Sequence, residues 1–246
     1  MVQDYRKLSA SKRIALIAAS ELKGYTSCFV GIGIPSDAAC LAKLTVERNL
    51  NLIYESGVIG TLPLSKSYST GSPSIANNAD MITDSLAVFS ELQACRIDVG
   101  LLSAAQIDKY GNLNSTTIGS YEDPKIRMVG SGGAHDIASL IPNLIILMPH
   151  DPRRFTENVD FITSPGSGIE LMEQRRKYDL GKGPSILITD RAKFIMSDQG
   201  WCLDSVLSGF THEEAVEDLC WDLKQTEKED ITIDESVLKS LHKLDY

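Results

Sequence analysis

The chain has no basic excess. Its 246 residues carry 24 Lys and Arg against 33 Asp and Glu, a formal charge of −9, which argues against general nucleic-acid binding. It contains no apolar run near the roughly 20 residues that a membrane span needs. The opening Met1-Val2-Gln3-Asp4-Tyr5-Arg6-Lys7 leads into mixed charge, not into the apolar core of a signal peptide. The five cysteines (Cys28, Cys40, Cys95, Cys202, Cys220) are odd in number, widely spaced and without a Cys-x-x-Cys; this speaks against a disulfide framework or a zinc knuckle. The four histidines show no metal-ligand spacing, so no protein-bound metal is expected. There is neither an internal repeat nor a low-complexity linker. With 43% hydrophobic and 23% charged residues, the composition is that of a soluble globular protein, and the expected location is the cytoplasm.

The elements read as a parallel α/β protein. Apolar residues recur at helical spacing from Lys12 to Leu22, with Ser9 or Ser11 as cap and Gly24 as stop. Thr26–Val30 reads as a strand, Gly31-Ile32-Gly33-Ile34-Pro35 as a turn, Ala38–Leu44 as a helix and Leu50–Tyr54 as a second strand. Further apolar runs lie at Val99–Ala105, Leu144–Met148, Val159–Thr163 and Ser185–Thr189. About forty residues rich in Gly, Asn, Ser and Thr separate the first two, and loops of that length inside a compact domain tend to be functional. Residues 212–246 hold eleven acids against four bases. They are expected to form an acidic C-terminal appendage on a single domain spanning 1–246, with helical segments at Glu213–Leu219 and Glu235–Leu241.

Four clusters have residue types suited to chemistry. Gly31 and Gly33 sit at a strand-to-helix turn where a backbone without Cβ can approach a phosphate or thioester. Their spacing is neither G-x-G-x-x-G nor a P-loop, and a tight structural turn explains them equally. Tyr54-Glu55-Ser56-Gly57 places one carboxylate beyond the carboxyl end of a strand, where α/β sheets present their ligands. Glu55 there suits a base, a nucleophile or a metal ligand, or a glutamate paired with a surface base. Ala105–Thr116 is dense in amides and hydroxyls that either bind a polar ligand or satisfy their own loop. Gly130-Ser131-Gly132-Gly133-Ala134 precedes a helical run and can aim backbone N–H groups at one point, as an oxyanion or phosphate site requires, and a glycine loop of this kind also serves as a simple hinge. His135 behind it reads as a packed or capping residue.

In this order the clusters resemble the B subunit of family I coenzyme A-transferases, most closely the glutaconate CoA-transferase type. The matching pieces are Val30–Pro35, Tyr54–Gly57, Ala105–Asp108 with Tyr110–Thr116, Pro124–Ala134, Thr163–Gly166 and Ser185–Asp190. The resemblance implies a CoA-transferase-like α/β fold, an open and mostly parallel sheet flanked by helices. It implies that Glu55 is the nucleophile of a ping-pong transfer through a glutamyl-CoA thioester. Gly132, Gly133 and Ala134, with Gly31 and Gly33, would lie near the thioester. It also implies coenzyme A as substrate with no tightly bound cofactor, dicarboxylic or 3-oxo acids as acyl groups, and an A subunit as partner. Thr61–Met81 departs from the family pattern and leaves acyl specificity open. Two other readings remain: a thioester or ring-opening hydrolase on the same fold, which Glu55 weighs against, and a non-catalytic small-molecule-binding module.

Overall fold

The computed structural model describes residues 4–64, 69–225 and 230–244. Part of the divergent Thr61–Met81 span, residues 65–68, lies outside the described residues, as does the charged stretch 226–229. The first half runs α1 (Ala10–Glu21), β1 (Ser27–Val30), α2 (Ile34–Leu44), β2 (Asn51–Ile53), β3 (Val58–Ile59), β4 (Met81–Ile82), α3 (Ser85–Gln93) and β5 (Val99–Leu102). Four short strands follow: β6 (Gln106–Ile107), β7 (Leu113–Asn114), β8 (Thr117–Gly119) and β9 (Pro124–Arg127). Then come α4 (Ala134–Leu140), β10 (Asn143–Leu147), α5 (Ile169–Tyr178), β11 (Pro184–Ile188), β12 (Ala192–Ser197) and β13 (Gly200–Val206). The described chain closes with α6 (His212–Val216), β14 (Lys224–Gln225) and α7 (Glu235–Ser240).

Ten strands form one sheet in the order β14-β13-β12-β11-β10-β5-β1-β2-β3-β4. Its centre, β11-β10-β5-β1-β2, is parallel throughout, and antiparallel pairs extend it on both sides. Strands of such a sheet are buried on both faces and read as continuous apolar runs. Successive side chains enter opposite cores. Cys28, Val30, Leu52 and Tyr54 enter one, with α1 and α2. Phe29, Ile53, Leu144 and Ile146 enter the other, toward α3 and α4.

Ser9 is the cap of α1, its side chain accepting from Lys12 N, and Pro35 opens α2 from its first turn. Val159–Thr163, an apolar run in the sequence, is irregular. Its acceptors serve side chains and loops instead: Asp160 Oδ2 takes Gln106 Nε2 at 3.1 Å and Gly119 N at 2.9 Å. The acidic stretch from 212 onward anchors itself on both cores, with Val237 and Ile233 on one side and Ala215 and Trp221 on the other. Among the described residues, no helix is long and apolar enough to cross a membrane.

Candidate active site

The strand alternation decides where Glu55 points. Tyr54 enters the α1/α2 core and its hydroxyl lies 3.1 Å from Ser36 Oγ in the first turn of α2. The next side chain, Glu55, is therefore directed to the α3/α4 face. Glu55 begins a tight turn between β2 and β3, closed by Gly57 N donating to Tyr54 O at 2.9 Å. Gly57 adopts φ +99°, and a Cβ there would lie 2.7 Å from Asp84 N and collide with the Thr83 carbonyl. The turn thus needs glycine both for its conformation and for its approach to the segment ahead of α3.

The Gly130–Gly133 loop comes to the same place. A Cβ on Gly133 would sit 3.2 Å from Glu55 Cδ and 3.1 Å from Phe89 Cε1, and one on Gly132 would be 4.0 Å from Glu55 Oε1. The bare backbone therefore lies against the carboxylate. Among the described residues, the N–H groups of Gly132 and Gly133 donate no hydrogen bond, whereas Ala134 N is already committed to Ser131 O at 2.9 Å. The two glycine amides can serve an oxyanion; the Ala134 amide cannot do so in this conformation. Glu55 is half-buried, and no hydrogen bond to its carboxylate is found among the described residues.

The polar loop at 105–116 holds this arrangement in place. Asp108 Oδ1 accepts from Tyr110 N and Asn112 N, both at 3.0 Å, and Oδ2 from Asn112 Nδ2. Burial pushes the Asp108 carboxyl up while these donors pull it down, and burial dominates. Asn114 Nδ2 donates to Gln106 Oε1 and Thr117 O, each at 2.6 Å. The loop thus satisfies its own backbone. It then clamps the glycine loop: Ser115 Oγ donates to Gly130 O at 2.8 Å, Gly130 N to Ser115 O at 2.9 Å, and Ser115 N to Thr163 Oγ1 at 2.9 Å. His135 is exposed, with Nδ1 3.3 Å from Thr163 O and its N–H on Ser131 Oγ.

Gly31 and Gly33 are placed at the carboxyl end of the neighbouring strand β1. A Cβ on Gly31 would be 3.4 Å from Leu101 O, and one on Gly33 would meet nothing within 4 Å. These two glycines form the β1–α2 turn, and the contacts that define the Glu55 site come from Gly132 and Gly133. Arg175, which sequence reasoning passes over, organises the ground behind the loop. It is 4% exposed and donates to five backbone carbonyls, those of Ala138, Ser139, Pro165, Gly166 and Gly181. Its partners lie up to 37 residues away, so no local pattern announces it. Of the cysteines, Cys28, Cys40 and Cys202 are buried, and burial pushes the Cys40 thiol up to about 12.

A family model described as Coenzyme A transferase matches residues 12–180. The chain is 40% identical over 226 residues to the B subunit of the 3-oxoadipate CoA-transferase of Pseudomonas knackmussii, covering 89% of this chain and 86% of the relative. It is 31% identical over 229 residues to the B subunit of the glutaconate CoA-transferase of Acidaminococcus fermentans, covering 89% of this chain and 85% of the relative. The solved glutaconate coenzyme A-transferase of that organism superposes with a TM-score of 0.85 at 29% identity, over 97% of this chain and 95% of the other. The decarboxylase AibA/AibB shares the fold at 16% identity, with a TM-score of 0.82 over 97% of this chain and 95% of the other. The family match covers more than half of the sequence and two curated relatives extend it across most of the rest; the chain belongs to the coenzyme A transferase family.

Proposed function

We propose that this chain is the B subunit of a CoA-transferase that moves coenzyme A from an acyl-CoA to a carboxylic acid, with Glu55 as nucleophile. The observation that carries the reading is the packing of the Glu55 carboxylate against Gly132 and Gly133, whose amides have no other acceptor among the described residues. A Glu55 oxygen attacks the thioester carbonyl, the C–S bond breaks and CoA leaves as thiolate, giving a mixed anhydride. The thiolate then attacks the glutamyl carbonyl and releases the donor acid, leaving a glutamyl-CoA thioester. An acceptor carboxylate reverses both steps. Each addition builds an oxyanion, and one preorganised amide donor contributes about 3 kcal/mol to such a transition state. Coenzyme A enters as substrate, and the scheme requires no tightly bound cofactor.

The relatives named for 3-oxoadipate and glutaconate support dicarboxylic or 3-oxo acids as the acyl groups. Both relatives are B subunits, which supports an A subunit as partner. Met81, Ile82 and Leu86 expose apolar side chains next to Thr83, whose N–H bonds the Glu55 turn at Gly57 O. A partner covering them would exclude water from the anhydride and the thioester, which otherwise hydrolyse. The test is a transfer assay on this chain co-expressed with its partner, using dicarboxylic and 3-oxo acids, with Glu55→Ala alongside. Transfer that Glu55→Ala abolishes supports the reading; release of free CoA without transfer, or full activity in Glu55→Ala, overturns it.

A further inference from the structure

Phe89 stands beside Glu55 and has no part in the transfer scheme. It belongs to α3, which is tied to the Glu55 turn: Thr83 N donates to Gly57 O at 2.8 Å, and Asp84 caps the helix by accepting from Ala87 N at 2.8 Å. Val88 and Leu92 of the same helix are buried in the core beneath it. Phe89 packs against that core but is only half-buried. Its ring lies tilted against Phe29 of β1, with centroids 5.7 Å apart. The ring tip reaches the glycine loop. There a Cβ on Gly133 would collide with Phe89 Cζ, and it would lie 3.1 Å from Phe89 Cε1 and 3.2 Å from Glu55 Cδ. The ring tip, the bare Gly133 backbone and the reacting carbon of Glu55 thus surround one point.

A leucine would fill the core contact, so the ring tip is surplus to packing. What the tip adds is cover. An aromatic C–H edge carries no hydrogen-bonding group, and it is the positive part of the ring quadrupole. It can therefore lie beside a carboxylate without holding a water there. Glu55 Cδ is the electrophile once the glutamyl-CoA thioester has formed. If water attacks it, the C–S bond breaks and CoA leaves as thiolate, which takes up one proton of the water. Glu55 returns as carboxylate, the other proton goes to solvent, and no acyl-CoA is made. When an acceptor carboxylate attacks instead, the thiolate stays and is passed on. From this contact we infer that Phe89 is a positioning residue that sets the partition between transfer and hydrolysis, a role that rests on the CoA-transfer reading. Its ring tip holds Gly133 and the Glu55 carboxyl in register and closes the approach of water from the α3 side. Gly133 then has to be glycine for Phe89 as well as for the substrate, because the ring occupies the space of its Cβ.

The test uses the assembly of this chain with its partner and measures, in one reaction, acyl-CoA formed by transfer and free CoA released. Phe89→Leu keeps the apolar core contact and removes the ring tip; it should raise the share of hydrolysis about tenfold. Phe89→Met, unbranched and long enough to reach the loop, should restore most of the native share. Val88→Ala thins the buried core one residue away and should lower stability without moving the share. Gly133→Ala should lower kcat, and combining it with Phe89→Leu should recover part of the loss, because only the 3.2 Å approach to Glu55 Cδ then remains. An unchanged share in Phe89→Leu, an equal rise in Val88→Ala, or a Gly133→Ala defect that Phe89→Leu does not relieve overturns the role of Phe89 and leaves the transfer reading intact. A native assembly that releases CoA but transfers none overturns the transfer reading, and the role of Phe89 with it.

Discussion

The two faces of the sheet are built differently. On one, α1 and α2, of twelve and eleven residues, pack with α7 over a layer of aliphatic side chains that includes Ile14, Leu16, Leu41 and Leu52, all fully buried. On the other, the seven-residue α4 and short α3 share the surface with hairpins, a glycine loop and networks of Asp108, Asn112, Asn114, Thr163 and Arg175. The first face is held by area removed from water, which tolerates exchange of one apolar residue for another. The second has an apolar core of its own and adds to it hydrogen bonds whose partners must all be present. The candidate site lies on the second because a bare backbone can be brought to a carboxylate only where loops, not a helix layer, cover the strand ends.

The largest test of that contrast pairs Arg175→Ala with Leu16→Ala. Removing Arg175 takes the side-chain donor from the carbonyls of Ala138, Pro165, Gly166 and Gly181, while Ser139 O keeps the Gly181 amide; the loss should cost about 3–5 kcal/mol in denaturant unfolding, with lost activity in the molecules that remain folded. Leu16→Ala should cost about 2–5 kcal/mol yet leave kcat per folded molecule as it was; a fall in kcat there would erase the distinction between the faces. Gly133→Val comes next. A branched side chain would push into Glu55 and Phe89 and should lower kcat by about 10²–10³ while the circular dichroism spectrum is retained.

The third test uses acid. His150 is 8% exposed, lies tilted against Phe155 with ring centroids 5.2 Å apart and leaves Nε2 without a partner among the described residues, and burial first, then Arg191, draws its pKa down to about 4. The folded-state value lies below the unfolded one, so the unfolded chain binds the extra proton between them. Stability is complete above about pH 6.5 and falls as pH drops toward 4, by up to about 3 kcal/mol from this residue. His150→Asn should flatten that part of the stability–pH curve, read by denaturant titration at several pH values. An unchanged curve would assign the acid sensitivity to another group.

The same contrast explains what the sequence made legible. α1, β1, α2 and β2 are readable because their apolar spacing is strict and their start signals, the Ser9 cap and Pro35 in the first turn of α2, are local. The Glu55 and Gly130–Gly133 clusters stand out in the sequence, but a glutamate paired with a surface base and a glycine hinge would read the same way, and it is the family resemblance that singles them out. Their meeting is not readable, because it depends on strand alternation turning Glu55 toward α3 and α4. The 106–127 region reads as loop but forms two small hairpins, β6–β7 and β8–β9, whose strands are too short for a period to register. β12 and β13 pass unassigned for a different reason: Lys193 and Asp204 interrupt their apolar pattern and pair with each other across the hairpin at 3.0 Å. The apolar run Val159–Thr163 is the converse case and forms no strand, its Asp160 and Thr163 being employed in loop contacts.

The central claim is that Glu55 becomes covalently attached to coenzyme A. The direct measurement incubates the assembled enzyme with acyl-CoA, adds borohydride, and locates the modified residue by peptide mass analysis. Covalent catalysis at Glu55 predicts reduction of its carboxyl to an alcohol, loss of activity in proportion, and protection when the acceptor acid is added first to discharge the thioester. Reduction at another carboxylate, or an active enzyme that borohydride leaves untouched in the presence of acyl-CoA, would contradict it.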